Sequence, residues 1–164
     1  MLKARFAGLL DDVLAACLAV YGARLASLAV FGSVARATMR PDSDIDLLLV
    51  AETLPAGRMA RMDEFAAVEA RVAPALRAAA AAAGIQTILS PVFKTPEELR
   101  RGGFLFLDLV EEARILYDRD GLLRGYLDEL GRRLAAMGAK RVRKGGGYYW
   151  VVKPDYRPGD TIEL

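Results

Sequence analysis

Two short apolar runs joined by a polar segment constrain the fold of this chain more than any other feature. Leu25–Phe31 is largely apolar and is followed by Gly32, and Ile45–Val50 is entered through the turn-like residues 40–43. Apolar runs this short, bounded by glycine or proline, are typical of strands buried on both faces of a sheet. The sequence therefore predicts a buried strand on each side of residues 32–44.

Apolar residues at helical spacing flank these strands. They predict a helix over 3–21 that Gly22 ends, and a long helix over 57–83 that Pro74 kinks or splits. Residues 85–93 are expected to form a third strand. A capping box, Thr95–Glu98, opens a short helix, and a further helix over 104–113 and a strand over 115–117 follow.

The C-terminal third adds a helix and a hairpin. Asp120 is expected to cap a helix that ends near Met137, and residues 148–152 and 161–164 are expected to pair as a terminal hairpin or flap. The order of elements predicts an α+β (mixed α/β) domain with a small mixed β-sheet and flanking helices. Residues 1–117 would form the core, and 118–164 a C-terminal helix and basic, aromatic hairpin that extend the same domain.

The composition excludes several classes of chemistry. The 164 residues include no histidine and one cysteine, Cys17, so Ser-His-Asp catalysis, Cys-His catalysis and a His/Cys zinc site are excluded. Any catalysis must use carboxylates, hydroxyls, Lys or Arg, and backbone amides. The net charge of +2 is too small to indicate a nucleic-acid-binding protein.

The sequence composition also gives expectations for the cellular compartment of the protein and for its source organism. The longest uncharged run, Ala78–Phe93, is too short and too polar to span a bilayer, and the first residues lack the apolar region of a signal peptide. We therefore expect a cytoplasmic protein without membrane contact. The absence of asparagine and the single glutamine, Gln86, suggest a thermophilic source, although a genome rich in Ala and Arg codons explains them equally well.

The segment after the first strand has the residues of a phosphate-binding loop. Gly32 lets a ligand approach the backbone closely, and the free amides that begin at Ser33 favour an anion. Ser33 adds a hydroxyl donor, and Arg36 adds a guanidinium that matches phosphate geometry. A Gly-Ser pair by itself is more often an ordinary turn.

The second strand begins with two carboxylates, Asp44 and Asp46. Strand alternation places both on one face, roughly 7 Å apart, with Ile45 and Leu47 on the other face towards a core. Two such acids repel unless a cation lies between them, and Mg²⁺ or Mn²⁺ would complete its shell with substrate phosphate oxygens. Although an isolated Asp-x-Asp is usually a solvated strand edge, this pair following a phosphate loop predicts metal-assisted phosphoryl or nucleotidyl transfer.

Gly32-Ser33-x-x-Arg36, followed by Ser43-Asp44-Ile45-Asp46 and an apolar run, resembles the signature of the DNA polymerase β-like nucleotidyltransferase superfamily. The chain is most similar to the minimal nucleotidyltransferase branch, small prokaryotic proteins often encoded beside a HEPN-domain partner. The resemblance implies a small mixed sheet with helices on one side. It further implies that Gly32, Ser33, Arg36 and Ser43 surround the nucleotide phosphates, that Asp44 and Asp46 are catalytic metal ligands, and that the substrate is an NTP, with ATP expected.

Two positions depart from that family's pattern. Ala37 stands where glycine is frequent, and no acid occupies the strand that would carry a third metal-binding carboxylate, Ile85–Ser90. Glu97, Glu98 or Asp108 could supply that carboxylate from elsewhere. On the vacant strand, Gln86, Ile88 and Ser90 share the face that would meet the two aspartates.

The stretch from Arg143 to Trp150 combines cations, three glycines and three aromatic residues. It is consistent with a basic helix end that leads into a hairpin packed on the core. The same residue types would serve a protein-binding flap or a surface for single-stranded nucleic acid.

Two functions follow from these features. The first is a metal-dependent nucleotidyltransferase that moves a nucleoside monophosphate, AMP being favoured, from an NTP to a hydroxyl acceptor. The resemblance suggests a HEPN-type toxin as that acceptor, with this chain as its antitoxin. The alternative is a binding module of the same fold that has lost turnover and neutralises a partner by contact.

Overall fold

The computed structural model describes the whole chain, Met1–Leu164, as one sheet with packed helices and a separate hairpin. The helices are α1 (Leu2–Tyr21), α2 (Gly32–Ala35), α3 (Arg58–Ala83), α4 (Pro96–Arg100), α5 (Leu105–Glu112) and α6 (Leu122–Ala136). The strands are β1 (Leu25–Phe31), β2 (Ile45–Ala51), β3 (Leu89–Lys94), β4 (Arg114–Asp118), β5 (Lys140–Lys144) and β6 (Gly147–Val151). The predicted mixed α+β class is confirmed.

The main sheet has the strand order β3-β2-β1-β4. β1 pairs antiparallel with both β2 and β4, whereas β2 and β3 run parallel, so the sheet is mixed as predicted. The apolar runs that predicted buried strands are the two central strands. β3 is an edge strand, and it tolerates Pro91 because a proline at an edge can avoid breaking a ladder hydrogen bond.

Helices cover both faces of this sheet, which corrects the expectation of helices on one side. α1 and α3 pack on the face formed by Leu28, Leu47 and Leu49, whereas α4, α5 and α6 pack on the face that carries Leu48 and Val50. The cause is the continuous apolar character of β2, which presents side chains to a core on both faces. Asp46 shares strand parity with Leu48 and lies on this second face.

Helix α1 and the turn after it, Leu2–Arg24, are long and apolar enough, by length and composition, to cross a membrane. In the fold, Phe6 and Val13 are completely buried in the core beneath the sheet, and α1 packs along α3. Its apolar side chains therefore form the first core of the domain.

Two details predicted from the sequence were wrong. The third strand begins at Leu89, because the backbone before it bonds to a loop: the amide of Gln86 donates to the carbonyl of Pro41 at 2.8 Å. Helix α6 is capped by Asp118, whose carboxylate accepts from the amides of Leu123 and Arg124 at 2.9 Å, and not by Asp120. Helix α3 is one continuous helix through Pro74, so the proline does not split it.

The C-terminal hairpin exists, but its strands differ from those predicted. β5 is the basic segment Lys140–Lys144, and it pairs antiparallel with β6. The expected pairing of residues 148–152 with 161–164 and the expected basic helix end are therefore both wrong. The cations project from a strand opposite the aromatic residues.

Candidate active site

The candidate site is built around the contact between Gly32 and Asp46. Gly32 follows β1 with φ +69°, a conformation that side-chain-bearing residues rarely adopt. A Cβ placed there would overlap Oδ2 of Asp46 and lie 3.3 Å from its Cγ. The glycine is therefore required both by its backbone angle and by the carboxylate against it.

A short helical turn presents backbone amides beside this contact. α2 begins at Gly32, and no side chain caps it, so its first amides remain available to a ligand. The turn is held at its far end, where the carbonyl of Ser33 accepts from the amide of Thr38 at 3.0 Å. Ala37 in this turn has φ +57°, which explains why glycine would be favourable at that position.

The two aspartates stand at the start of β2 without an ion-pair partner. Asp44 is exposed and Asp46 is half-buried. Burial raises the pKa of the Asp46 carboxyl, and the charge of Asp44 raises it further. The nearby Ser90 hydroxyl and the charge of Arg36 oppose this rise in the pKa. A bound cation would therefore stabilise the ionised form of Asp46, which burial and the charge of Asp44 disfavour.

The register of the sheet identifies Ser90 as the neighbour of Asp46. Asp46 lies opposite Phe31 of β1 on one side and opposite Ser90 of β3 on the other. Of the residues that the sequence left open for a third ligand position, Ser90 is therefore the one that pairs with Asp46 of β2. Ile88 is 63% exposed, and Gln86 is also exposed, at the rim.

The acids considered as a third carboxylate are engaged elsewhere or lie in solvent. Glu98 forms a bidentate ion pair with Arg61 at 2.8 and 2.9 Å, and Asp108 accepts from the indole of Trp150 at 2.8 Å. Glu97 is exposed on α4. No group of three metal-ligating acids, histidines or cysteines exists in the structure. The candidate site has two carboxylates, and the residue opposite Asp46 on β3 is the neutral Ser90.

The remaining predicted residues surround the site in supporting positions. Ser43 closes the turn into β2, where its hydroxyl accepts from the amide of Arg40 at 2.8 Å. Arg36 extends from the end of α2 and pairs with Glu112 of α5, although it remains exposed enough to reach a ligand. The Glu112 contact could not be read from the sequence, because the two residues are far apart along the chain.

Comparison with known proteins assigns the chain to a family. A family model described as the nucleotidyltransferase domain matches residues 12–101, which include every predicted site residue. The chain belongs to this nucleotidyltransferase family. A relative from Methanocaldococcus jannaschii, named "Putative protein adenylyltransferase MJ1305", is 30% identical over 124 residues, which are 74% of this chain and 78% of that protein. This nucleotidyltransferase is accordingly an enzyme of a class that transfers nucleotides.

Solved structures with a similar arrangement are more distant. A toxin-antitoxin crystal structure with AMP-PNP matches with a TM-score of 0.40 and 18% identity, covering 78% of the nucleotidyltransferase and 95% of that chain. A variant of the MntA-HpeT toxin-antitoxin matches with a TM-score of 0.42 and 18% identity, covering 78% and 94%.

Proposed function

We propose that this protein is a metal-dependent nucleotidyltransferase that moves AMP from ATP to a hydroxyl group of a partner protein. The observation that carries the proposal is the half-buried Asp46, which lies against the backbone of Gly32 with Asp44 two residues away and no ion pair on either acid. In the reaction, the acceptor oxygen bonds to the α-phosphorus, the α–β phosphoanhydride bond breaks and pyrophosphate leaves. The hydroxyl proton passes to water.

The donor set suits a hard divalent cation. Asp44 and Asp46 supply carboxylate oxygens, Ser90 supplies a hydroxyl, and Mg²⁺ or Mn²⁺ takes its other ligands from phosphates and water. When bound, such an ion would neutralise phosphate charge and lower the pKa of the attacking hydroxyl. We place it on Asp44 and Asp46.

The chain's own groups would position the triphosphate. The backbone of Gly32 admits a phosphate close to Asp46, and the uncapped amides of α2 with the Ser33 hydroxyl would donate hydrogen bonds to it. Arg36 would add a charged donor from the end of α2, and Ser43 would hold the turn from which Asp44 projects.

The nature of the acceptor is inferred from a relative of the chain. Residues 1–117 would be the nucleotidyltransferase core and 118–164 an extension of it. The M. jannaschii relative is named as a putative protein adenylyltransferase. That name supports a protein acceptor, and we propose a HEPN-type toxin partner met in the cytoplasm.

One observation favours a second candidate, a nucleotidyltransferase-fold module that binds its partner without turnover. The third carboxylate is absent, and a neutral Ser90 lies beside Asp46. In this candidate ATP and the partner still bind, but no AMP is transferred.

One experiment separates the two candidates. The parent, Ser90→Asp and the matched neutral control Ser90→Asn are co-expressed with the protein encoded beside this chain's gene, and transfer from ATP labelled at the α-phosphate is measured. Transfer by the parent supports the enzyme, and a gain with Ser90→Asp but not with Ser90→Asn shows that a third acid limits turnover. No transfer by any variant, with partner binding intact, supports the second candidate.

A further inference from the structure

A basic cleft lies beside the turn that begins at Gly32. It has a volume of about 820 Å³ and is lined by four cations, Arg36, Lys140, Arg141 and Arg143, by one acid, Glu111, and by the glycine turn of the hairpin and Tyr148. Arg36 lies three residues after Ser33, so the cleft opens next to the phosphate-binding turn. Trp150 packs on the core between the sheet and helices α4, α5 and α6. This contact places the hairpin on the sheet face that carries Asp46.

Part of the positive charge in this cleft is fixed by ion pairs, and part is free. Arg141 is held by Glu111 at 3.0 Å and also contacts Glu112, which pairs with Arg36 as well. Lys140 and Arg143 form no ion pair, and neither does the adjoining Lys144. The free charges therefore lie along β5, on a strand that the paired arginine holds in place.

An aromatic surface accompanies these cations. The guanidinium of Arg141 lies 3.5 Å from the centre of the Tyr148 ring, and Tyr148 stands opposite Arg143 across the hairpin. Tyr148 is 41% exposed, so part of its ring is open to the cleft. The glycines of the turn, residues 145–147, leave room for a ligand to approach the backbone.

We propose that this cleft binds a strand of single-stranded nucleic acid, with its phosphates along β5 and a base stacked on Tyr148. Interleaved cations and aromatic rings are how proteins hold such strands without reading sequence. An acidic protein segment fits less well, because the buried centre of a protein interface is mostly apolar and Tyr148 is the single hydrophobic residue of the lining.

The length of the basic strand favours a polynucleotide over the tail of one nucleotide. β5 extends over about 14 Å from Lys140 in the cleft to Lys144, which adjoins the cleft outside its lining. At the rise of about 3.4 Å per nucleotide that a stacked strand has in a duplex, this length corresponds to about four phosphates. The proposal concerns binding, and it stands whether or not nucleotide transfer at Asp46 is observed.

The test is fluorescence anisotropy of the full-length protein with a labelled twelve-nucleotide single strand of mixed sequence, over a series of salt concentrations. Lys140→Ala, Arg143→Ala and Lys144→Ala combined should weaken binding at least tenfold. They should also reduce the slope of log affinity against log salt by about 2, as expected for three lost phosphate contacts. Tyr148→Leu, which keeps apolar bulk but removes the ring, should weaken binding about tenfold without changing that slope.

A matched control removes the same charge from another surface. Lys3→Ala, Arg5→Ala and Arg77→Ala combined change three exposed cations that form no ion pair on α1 and α3, and this variant should bind like the parent. Melting temperatures verify that all variants fold. Failure of the parent to bind, or an equal loss in the control variant, would overturn the proposal. Competition by a polyglutamate peptide as strong as by the unlabelled strand would also overturn it, in favour of an acidic protein segment.

Discussion

Two groups of acids lie on the same side of the sheet, and they differ in whether other side chains pair with them. Asp44 and Asp46 stand at the start of β2 without a cation paired to either. On α5, by contrast, Asp108 accepts from Trp150 and Glu112 contacts two arginines. The acids of α5 attach the hairpin to the core, whereas those at the start of β2 have no cation partner within the chain, as the proposed metal site requires.

The pKa values of two carboxyls express the same contrast. Burial and the charge of Asp44 raise the pKa of Asp46, whereas the hydrogen bonds from Arg61 lower the pKa of Glu98 to about 2. A paired acid stabilises the fold, and an unpaired, half-buried acid lowers its stability. This difference is the one expected if Asp46 belongs to the proposed site.

The largest expected effect is on nucleotide binding. Asp44→Asn and Asp46→Asn should each weaken Mg²⁺-dependent ATP binding at least a hundredfold, because each removes a metal ligand. Thermal stability should be unchanged or slightly raised, because each substitution also removes like-charge repulsion. Calorimetric titration of ATP with Mg²⁺ measures the first effect and thermal melting the second. Equal ATP affinity in parent and variants would show that these acids are not the site.

The contact of Gly32 with Asp46 gives the next effect. Gly32→Val should weaken ATP binding more than Ser33→Ala, because the added side chain would displace the carboxylate and strain the positive φ angle. Ser33→Ala removes a single hydroxyl hydrogen bond, worth about 1 kcal/mol. ATP titrations on both variants, with circular dichroism to verify folding, make the comparison. Normal ATP binding by a folded Gly32→Val variant would show that the loop is an ordinary turn that does not bind phosphate.

The paired acids should respond in stability instead. Glu112→Gln should lower the free energy of unfolding by about 2 kcal/mol, because it leaves Arg141 and Arg36 without their shared, nearly buried partner. The control, Glu111→Gln, changes a carboxylate that is half exposed and should cost well under 1 kcal/mol. Urea denaturation measures both, and equal costs would contradict the assignment of Glu112 as the anchor.

A pH titration distinguishes the paired acid Glu98. Its folded pKa is depressed, so its contribution to stability is fully present above about 4.5 and is lost as pH falls towards about 2. With allowance for solvent screening, the loss should be about 1 kcal/mol, and Glu98→Gln should remove that part of the pH dependence. Unfolding free energies of parent and variant that stay parallel between pH 5 and 2.5 would disprove the pairing.

The smallest effect concerns Ala37. Its φ of +57° costs an alanine about 1 kcal/mol more than a glycine, so Ala37→Gly should raise the melting temperature slightly. Ala35→Gly is the control, because it replaces an alanine at the end of the short helix and should be neutral or destabilising. A lower melting temperature for Ala37→Gly would show that the turn is not strained.

The segment from β1 to β2 could be predicted closely from the sequence, because its information is local. The two buried strands follow from neighbouring residues and are confirmed, and the structure adds the contact of Gly32 with Asp46. The roles of these residues remain predictions. Contacts between distant residues, such as Arg36 with Glu112 and Asp108 with Trp150, have no local signal.

The strands of the C-terminal hairpin were predicted wrongly for a different reason. β5 carries four cations in five residues, so it has almost no apolar alternation by which a strand is recognised. The glycine run between a basic and an aromatic segment was the available signal for its turn. The helices on both faces of the sheet could have been predicted from the sequence, since β2 has apolar residues at both strand parities.

The most direct test of the central claim is which phosphate of ATP reaches the acceptor. The protein and its co-expressed partner are incubated with Mg²⁺ and ATP labelled at the α-phosphate, or in parallel at the γ-phosphate, and protein-bound label is counted. We predict that α-label is incorporated, that γ-label is not, and that Asp46→Asn abolishes incorporation. Incorporation of γ-label, or α-label that persists in Asp46→Asn, would contradict nucleotidyl transfer at this site.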